Sequence, residues 1–301
     1  MPSQVRQSNL YEAIKYCNEE YDDPVELCCD ILHVSRSAYY KWLKGDFGKR
    51  VLENERIAEK IEEIHQKDPD KGYRRIRDDL ERYHDIDVND KRVLRICRIK
   101  GIKATIKYAN HGCTRQARNP QHIAENVLNR EFTAEKPNEK WLTDVTEFKW
   151  YEGIVVHKIY LSAILDLYDR RIVSFVIRDH NDNPLVFDTF DAAVRENPDA
   201  HPLFHSDRGY QYTNRTFYGK LVAAGMTQSM SRVAKCIDNG PMEGFWGILK
   251  RERYYGKRFE SRKALVEMIE NYIYYYNNRR LQRNLGVLTP MEKHQSYELA
   301  A

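Results

Sequence analysis

Residues 141–178, WLTDVTEFKWYEGIVVHKIYLSAILDLYDRRIVSFVIR, decide the fold. Three runs within it, 141–150, 157–168 and 170–178, alternate or stay apolar and are separated by tight turns, the pattern of an antiparallel meander. Downstream the period changes. PLVFDTFDAAVREN (184–197) reads as a helix, HPLFHSD (201–207) as a strand, NRTFYGKLVAAG (214–225) as a helix and MTQSMS (226–231) as a short strand. The helices PMEGFWGILKRERYY (241–255) and SRKALVEMIENYIYYYNNRRL (261–281) follow. Three antiparallel strands and then alternating helix and strand predict a mixed five-stranded sheet flanked by helices.

Upstream the chain is helical, so the fold class is α+β with more than one domain. In DDPVELCCDILHVSRSAYYKWLKG (22–45), Asp23 and Pro24 open a helix through Leu32. A three-residue turn follows, and Ser35 caps a helix carrying Arg36, Tyr39, Tyr40 and Lys41. That is a helix-turn-helix pattern with basic and aromatic side chains on its second helix, suited to DNA. A second helical unit ends in NDKRVLRICRIKG (89–101), where Val93, Leu94 and Cys97 share an apolar face and Lys91, Arg95 and Arg98 a cationic one. From Lys91 to Ala124 there is no acid, and Lys103 and Lys107 extend the positive run, which reads as an arm that tracks phosphates. The expected organisation is two helix-turn-helix units (1–47 and 48–107), a basic linker (108–136) and a core (137–301).

The net charge is only +4 with 31% charged residues, so the basic character is local. No stretch approaches the roughly 18 apolar residues of a membrane span, and the N-terminus lacks a signal-peptide core, which points to the cytosol. The six cysteines show no metal-type spacing and read as reduced, mostly buried thiols.

Three acids need an explanation. Asp144 interrupts an apolar strand, Asp207 ends another, and Glu243 lies in the first turn of a helix, where Gly240 as N-cap and Pro241 as first residue would put it third. A carboxylate on a buried strand is costly unless paired or liganded. Two divalent ions held by such acids would supply the partner, and hard oxygen ligands suit magnesium. Asp166, Asp169, Asp179 and Asp182 flank turns and read as local backbone acceptors, as Asp238 does beside Asn239. His205 shares the strand face of Asp207, and His205 and Asn239 are expected to support the acids without binding metal. Lys250 faces the same side of its helix as Glu243, with Gly247 between them leaving room for a DNA backbone.

HVSRSAYYKWL, KGYRRIRDDL, NDKRVLRICRIKGIKA, WLTDVTEFKW, YLSAILDLYDRRIVSFVI, LFHSDRGYQYT, DNGPMEGFWGILKRE and YYYNNRRLQRNLGVLTPMEK occur in this order across almost the whole chain. In them the sequence resembles the second-reading-frame transposases of the third insertion-sequence family, whose catalytic core is of the retroviral-integrase, ribonuclease H-like type. Thirty-five residues lie between Asp207 and Glu243, matching that family's acidic signature. The resemblance implies Asp144, Asp207 and Glu243 as catalytic metal ligands for two magnesium ions, with manganese as a substitute, and Lys250 as a contact to the element end. It also implies strand cleavage and transfer on duplex element ends and target DNA by a homo-oligomer at the bacterial nucleoid, with an upstream reading-frame product as a partner. Gly244, Trp246 and Gly247 replace the family's usual small polar residues around the last acid, so altered substrate contacts are expected there. A nuclease without strand transfer and a catalytically silent repressor are the alternatives.

Overall fold

The computed structural model describes residues 3–45, 49–106, 120–232 and 236–300, and the chain forms two compact units, 1–105 and 106–301. In the first unit, α1 (Ser3–Tyr21), α2 (Val25–Ile31) and α3 (Arg36–Leu43) bury Ile14, Cys28, Cys29 and Tyr39. Pro24, not Asp23, is the N-cap of α2, and no side chain caps it. His33, at φ 52°, turns the chain from α2 into α3. Three further helices, α4 (Lys49–Lys67), α5 (Tyr73–His84) and α6 (Asp90–Ile99), close over Ile61, Ile76, Leu80, Val93 and Cys97. The Asn89 side chain caps α6 by accepting from the Arg92 N–H. Leu94, expected on the apolar face, is only half-buried, and Ile96 is buried in its place. Cys17, Cys28, Cys29 and Cys97 are free thiols.

In the second unit, five strands among the described residues form one sheet in the order β3-β2-β1-β4-β5. The meander is β1 (Lys140–Glu152), β2 (Val155–Asp166) and β3 (Ile172–Arg178). Glu152 pairs with Val155 across a two-residue turn whose Gly153, at φ 58°, takes the left-handed conformation that this turn needs. Then α7 (Asn183–Glu196), started by Asp182, leads to β4 (Leu203–Ser206), and α8 (Arg215–Ala223) leads to β5 (Thr227–Met230). β4 runs parallel to β1, and β5 parallel to β4.

Strand alternation splits the core in two. Leu142, Phe148, Ile159 and Leu161 pack with α9 (Gly240–Leu249) and α10 (Arg262–Asn278), while Trp141, Ile164 and Val173 pack with α7 and α8. Residues 120–132, expected in the linker, lie on this unit: Leu128 is 2% exposed in the first of these cores, and Glu125 accepts from the Met230 N–H. A C-terminal helix, α11 (Pro290–Glu298), starts with a full capping box between Thr289 and Glu292.

Candidate active site

The β1–β4 register pairs Leu142 with His205, and carried two residues further it sets Asp144 level with Asp207. Asp144 points to the α9 side of the sheet, where its Oδ2 accepts from Trp246 Nε1 at 3.1 Å and its Oδ1 from the Val145 N–H at 2.8 Å. Asp207 Oδ1 accepts from the Gly209 N–H at 2.8 Å, closing the turn after β4. A Cβ at position 209 would stand 2.9 Å from that oxygen, so any larger residue there would press on the Asp207 carboxylate. Burial and the neighbouring charge of Asp207 push the Asp144 carboxyl up to about 8, and burial raises Asp207 as well. Behind the pair, fully buried Tyr212 shares a hydrogen bond with Thr143 Oγ1 at 3.2 Å, and its hydroxyl is raised by burial and by both acids.

Glu243 arrives on α9. Asn239 is the N-cap and Gly240 the first helical residue, so Glu243 is fourth in the helix, one place later than expected, and its side chain is exposed. Met242, Phe245, Trp246 and Leu249 bury the opposite face. Asn239 Nδ2 donates to Thr143 O at 3.1 Å, which pins the start of α9 to the residue before Asp144. The charge of Glu243 acts on Asp144 less strongly than that of Asp207. Among the described residues no three His, Cys, Asp or Glu side chains are gathered as a metal cage. Asp144 and Asp207 nevertheless have the oxygen donors and the mutual repulsion that a hard cation would relieve.

After α9 the helix widens into one π turn (Lys250–Tyr254). Lys250 is half-buried, donates to Thr146 Oγ1 at 2.6 Å and lies 5.0 Å from the Phe148 ring centroid; burial lowers its pKa. The Arg251 guanidinium covers Gly247, its Nη1 standing 2.7 Å from where a Cβ would be. Trp246, expected to alter substrate contacts, instead turns inward and orients Asp144.

Asp238 is fully buried and accepts five hydrogen bonds: from Arg232 N, Nε and Nη2 at 2.9–3.0 Å, from Arg130 Nε at 2.7 Å and from Asn126 Nδ2 at 3.0 Å. Its carboxyl is held well below the usual range, chiefly by Arg232. The carboxylate ties the two ends of the loop before α9 to each other and to the 120–132 segment. Sequence reasoning saw the turn and missed the clamp, whose partners lie as far as 112 residues away.

His205 is corrected. It is 0% exposed and bonds to Ser229 and Ser231 on the β5 side rather than to the acids, and burial lowers it to about 4, leaving it neutral. Asp166 and Asp169 lie at the start of β1, where Asp166 pairs with Trp141, and both are already partnered: Asp166 accepts from the Asn138 and Tyr168 N–H groups, and Asp169 binds Arg171 and His294. Asp179 pairs with Arg262, and Asp182 caps α7.

Among the expected DNA contacts of the first unit, Tyr39 is also corrected. It is 2% exposed, packed against Tyr11 and Trp42, because a short amphipathic helix turns one of two adjacent tyrosines into the core. Tyr40 and Lys41 are exposed, and Arg36 is exposed and paired with Glu26. Lys91, Arg98 and Lys103 are exposed, and half-buried Arg95 reaches Asn54. Lys107 lies outside the described residues.

A mixed sheet with one acid on β1, a second just past the end of the parallel strand β4 and a third on α9 defines the integrase class of catalytic core. The integrase core domain family matches residues 134–236, a second integrase core family matches 243–297, and an HTH-like domain family matches 52–110. The chain is 41% identical over 68% of its length, and 93% of the relative's, to an uncharacterized transposase-like protein of Haemophilus influenzae. It is 35% identical over 91% of its length, and 95% of the relative's, to the putative transposase InsK for insertion sequence element IS150 of Escherichia coli. The HTLV-2 integrase catalytic core domain in complex with magnesium aligns with a TM-score of 0.40 at 17% identity, over 53% of this chain and 98% of that one. The chain belongs to the insertion-sequence transposases with an integrase core, polynucleotidyl transferases of the three-acid type.

Proposed function

We propose that Asp144, Asp207 and Glu243 are the metal ligands of a strand-transferring transposase active site. The observation that carries this reading is the pair Asp144 on β1 and Asp207 just past the end of β4, two carboxylates whose burial and mutual repulsion raise a proton affinity that a cation would lower. Glu243, exposed on a helix whose start is pinned beside Asp144, completes the set by rotation of its side chain. Two magnesium ions held there, with manganese as a substitute, would activate the attacking oxygen and stabilise the leaving one.

The chain's own groups do the rest. Trp246 and the Val145 N–H orient Asp144, the Gly209 N–H fixes Asp207, and Lys250 neutralises phosphate charge at the element end. Hydrolysis at one end frees a 3′ hydroxyl, which then attacks a second phosphodiester in line. By relation to the insertion-sequence transposases, the substrates are duplex element ends and target DNA, held by a homo-oligomer in the bacterial cytosol with an upstream reading-frame product as partner. Residues 1–47 and 48–107 are the DNA-reading units, and the connection expected over 108–136 ends before residue 120, where the chain joins the core. Glu243→Gln should abolish magnesium-dependent joining of element-end oligonucleotides while end binding persists. Retained joining would overturn the assignment, and cleavage without a joined product in the unmodified chain would favour the nuclease alternative.

A further inference from the structure

From 250 to 258 the chain carries five cations, Lys250, Arg251, Arg253, Lys257 and Arg258, and a single acid, Glu252. Glu252 is 7% exposed and turned inward, accepting from Tyr272 Oη at 2.9 Å and Arg280 Nη2 at 2.8 Å. The π turn thus directs its carboxylate inward while the basic side chains stay at least partly in solvent. A run of lysine and arginine is ordinarily a solvated face. Here it is laid along a strand.

Lys250 is fixed to Thr146, Tyr254 Oη accepts from the Lys149 N–H at 2.9 Å, and Phe259 O accepts from the Tyr151 N–H at 2.8 Å. At the hairpin turn, Arg258 Nη2 donates to Gly153 O at 2.5 Å, and its guanidinium lies 4.3 Å from the Tyr151 ring centroid. The basic segment therefore follows β1 outward from the acids. At about 3.3 Å per residue, Asp144 to Gly153 spans about 30 Å, the length of about nine phosphate steps along one strand of a duplex. Lys257 and Arg258 are exposed, and among the described residues no carboxylate lies within salt-bridge range of either. Guanidinium groups already fixed on a carbonyl and an aromatic face lose little freedom on meeting phosphate.

We infer that Lys250 to Arg258 form a phosphate track that holds the duplex flanking the reacting phosphodiester for about nine base pairs. The placement of its inner end rests on the carboxylate reading above. The partner is duplex DNA rather than an acidic protein surface, because the cations are spread over a length that suits a regular array of charges.

The test is DNA binding by the full chain, followed by fluorescence anisotropy without divalent metal, so that the outcome does not depend on the carboxylates. End duplexes are lengthened from about 3 to about 12 base pairs on either side of the reacting phosphate. The unmodified chain should gain affinity on one side, and Lys257→Glu with Arg258→Glu should lose about tenfold of that gain. The slope of log affinity against log salt should become shallower by about 2. Lys257→Gln with Arg258→Gln should give the same loss of slope, which separates removal of contacts from repulsion by new acids. An unchanged slope in both double variants, or no length-dependent gain on either side, would overturn the track. Failure of Glu243→Gln to stop joining would instead overturn the active-site reading and leave the binding result intact.

Discussion

Asp144 and Asp238 stand on either side of the start of α9, the first half-buried and the second fully buried, and opposite electrostatics hold them. Asp238 has five donors, four from two arginines, and its charge is favoured. Asp144 has two donors and a like-charged neighbour, and its charge is disfavoured. A buried carboxylate that completes its own set of partners is a structural clamp, whereas one left short beside another acid is poised for something that the folded chain does not supply. The difference separates scaffold from chemistry more sharply than burial does.

The sharpest way to break this contrast is to remove each charge. Asp238→Ala should cost about 3 kcal/mol of stability in chemical denaturation of the metal-free chain, since it leaves two partly exposed arginines and an asparagine without their acceptor. Asp144→Asn should leave the metal-free chain as stable as before, or more so, while magnesium-dependent joining is lost; equal destabilisation by both would erase the distinction.

The contrast should also appear in pH dependence, with an effect on the order of 2 kcal/mol for half-buried Asp144 after allowance for its contact with solvent. The folded-state pKa of Asp144 is raised, so its contribution is full below about 4, the ordinary carboxylate value, and is lost as pH rises through about 8. Asp238 is depressed, so its contribution is present above about 4 and is lost only on acidification. Denaturation midpoints between pH 5 and 9 should therefore fall for the metal-free chain and flatten in Asp144→Asn. A slope that survives in Asp144→Asn would assign the titration elsewhere. The smallest effect expected is that of Gly209→Ala, which presses a methyl on Asp207 and should lower joining about tenfold, with less than about 1 kcal/mol lost in stability. Unchanged joining would show that the turn after β4 does not hold Asp207 in place.

Much of this was legible in the sequence, for reasons that differ by element. The meander and its two following strands announce themselves through alternating or continuously apolar runs, Asp144 through interrupting one of them and Asp207 through ending another. Glu243 was placed within one residue, because Gly-Pro after Asn239 marks a helix start even when the cap assignment slips. The errors fall where a side chain has two plausible faces. Tyr39 and Tyr40 are adjacent in an eight-residue helix, and nothing local says which enters the core. His205 shares a strand with Asp207 yet finds its partners on the neighbouring strand. Arg130 and Arg232 could not be matched to Asp238, because neither spacing nor period links them. Only the fold brings them together.

The segment from 120 to 132 changes where the catalytic unit can be cut. A fragment begun at residue 137, where the strand pattern starts, discards Leu128 from the core beside α9 and leaves Asp238 to Arg232 alone. One begun at residue 120 keeps His122 on the Thr213 carbonyl, Leu128 in its slot and Arg130 on Asp238. The smallest piece of this transposase able to hold α9 in register thus includes a strap that carries none of the three acids.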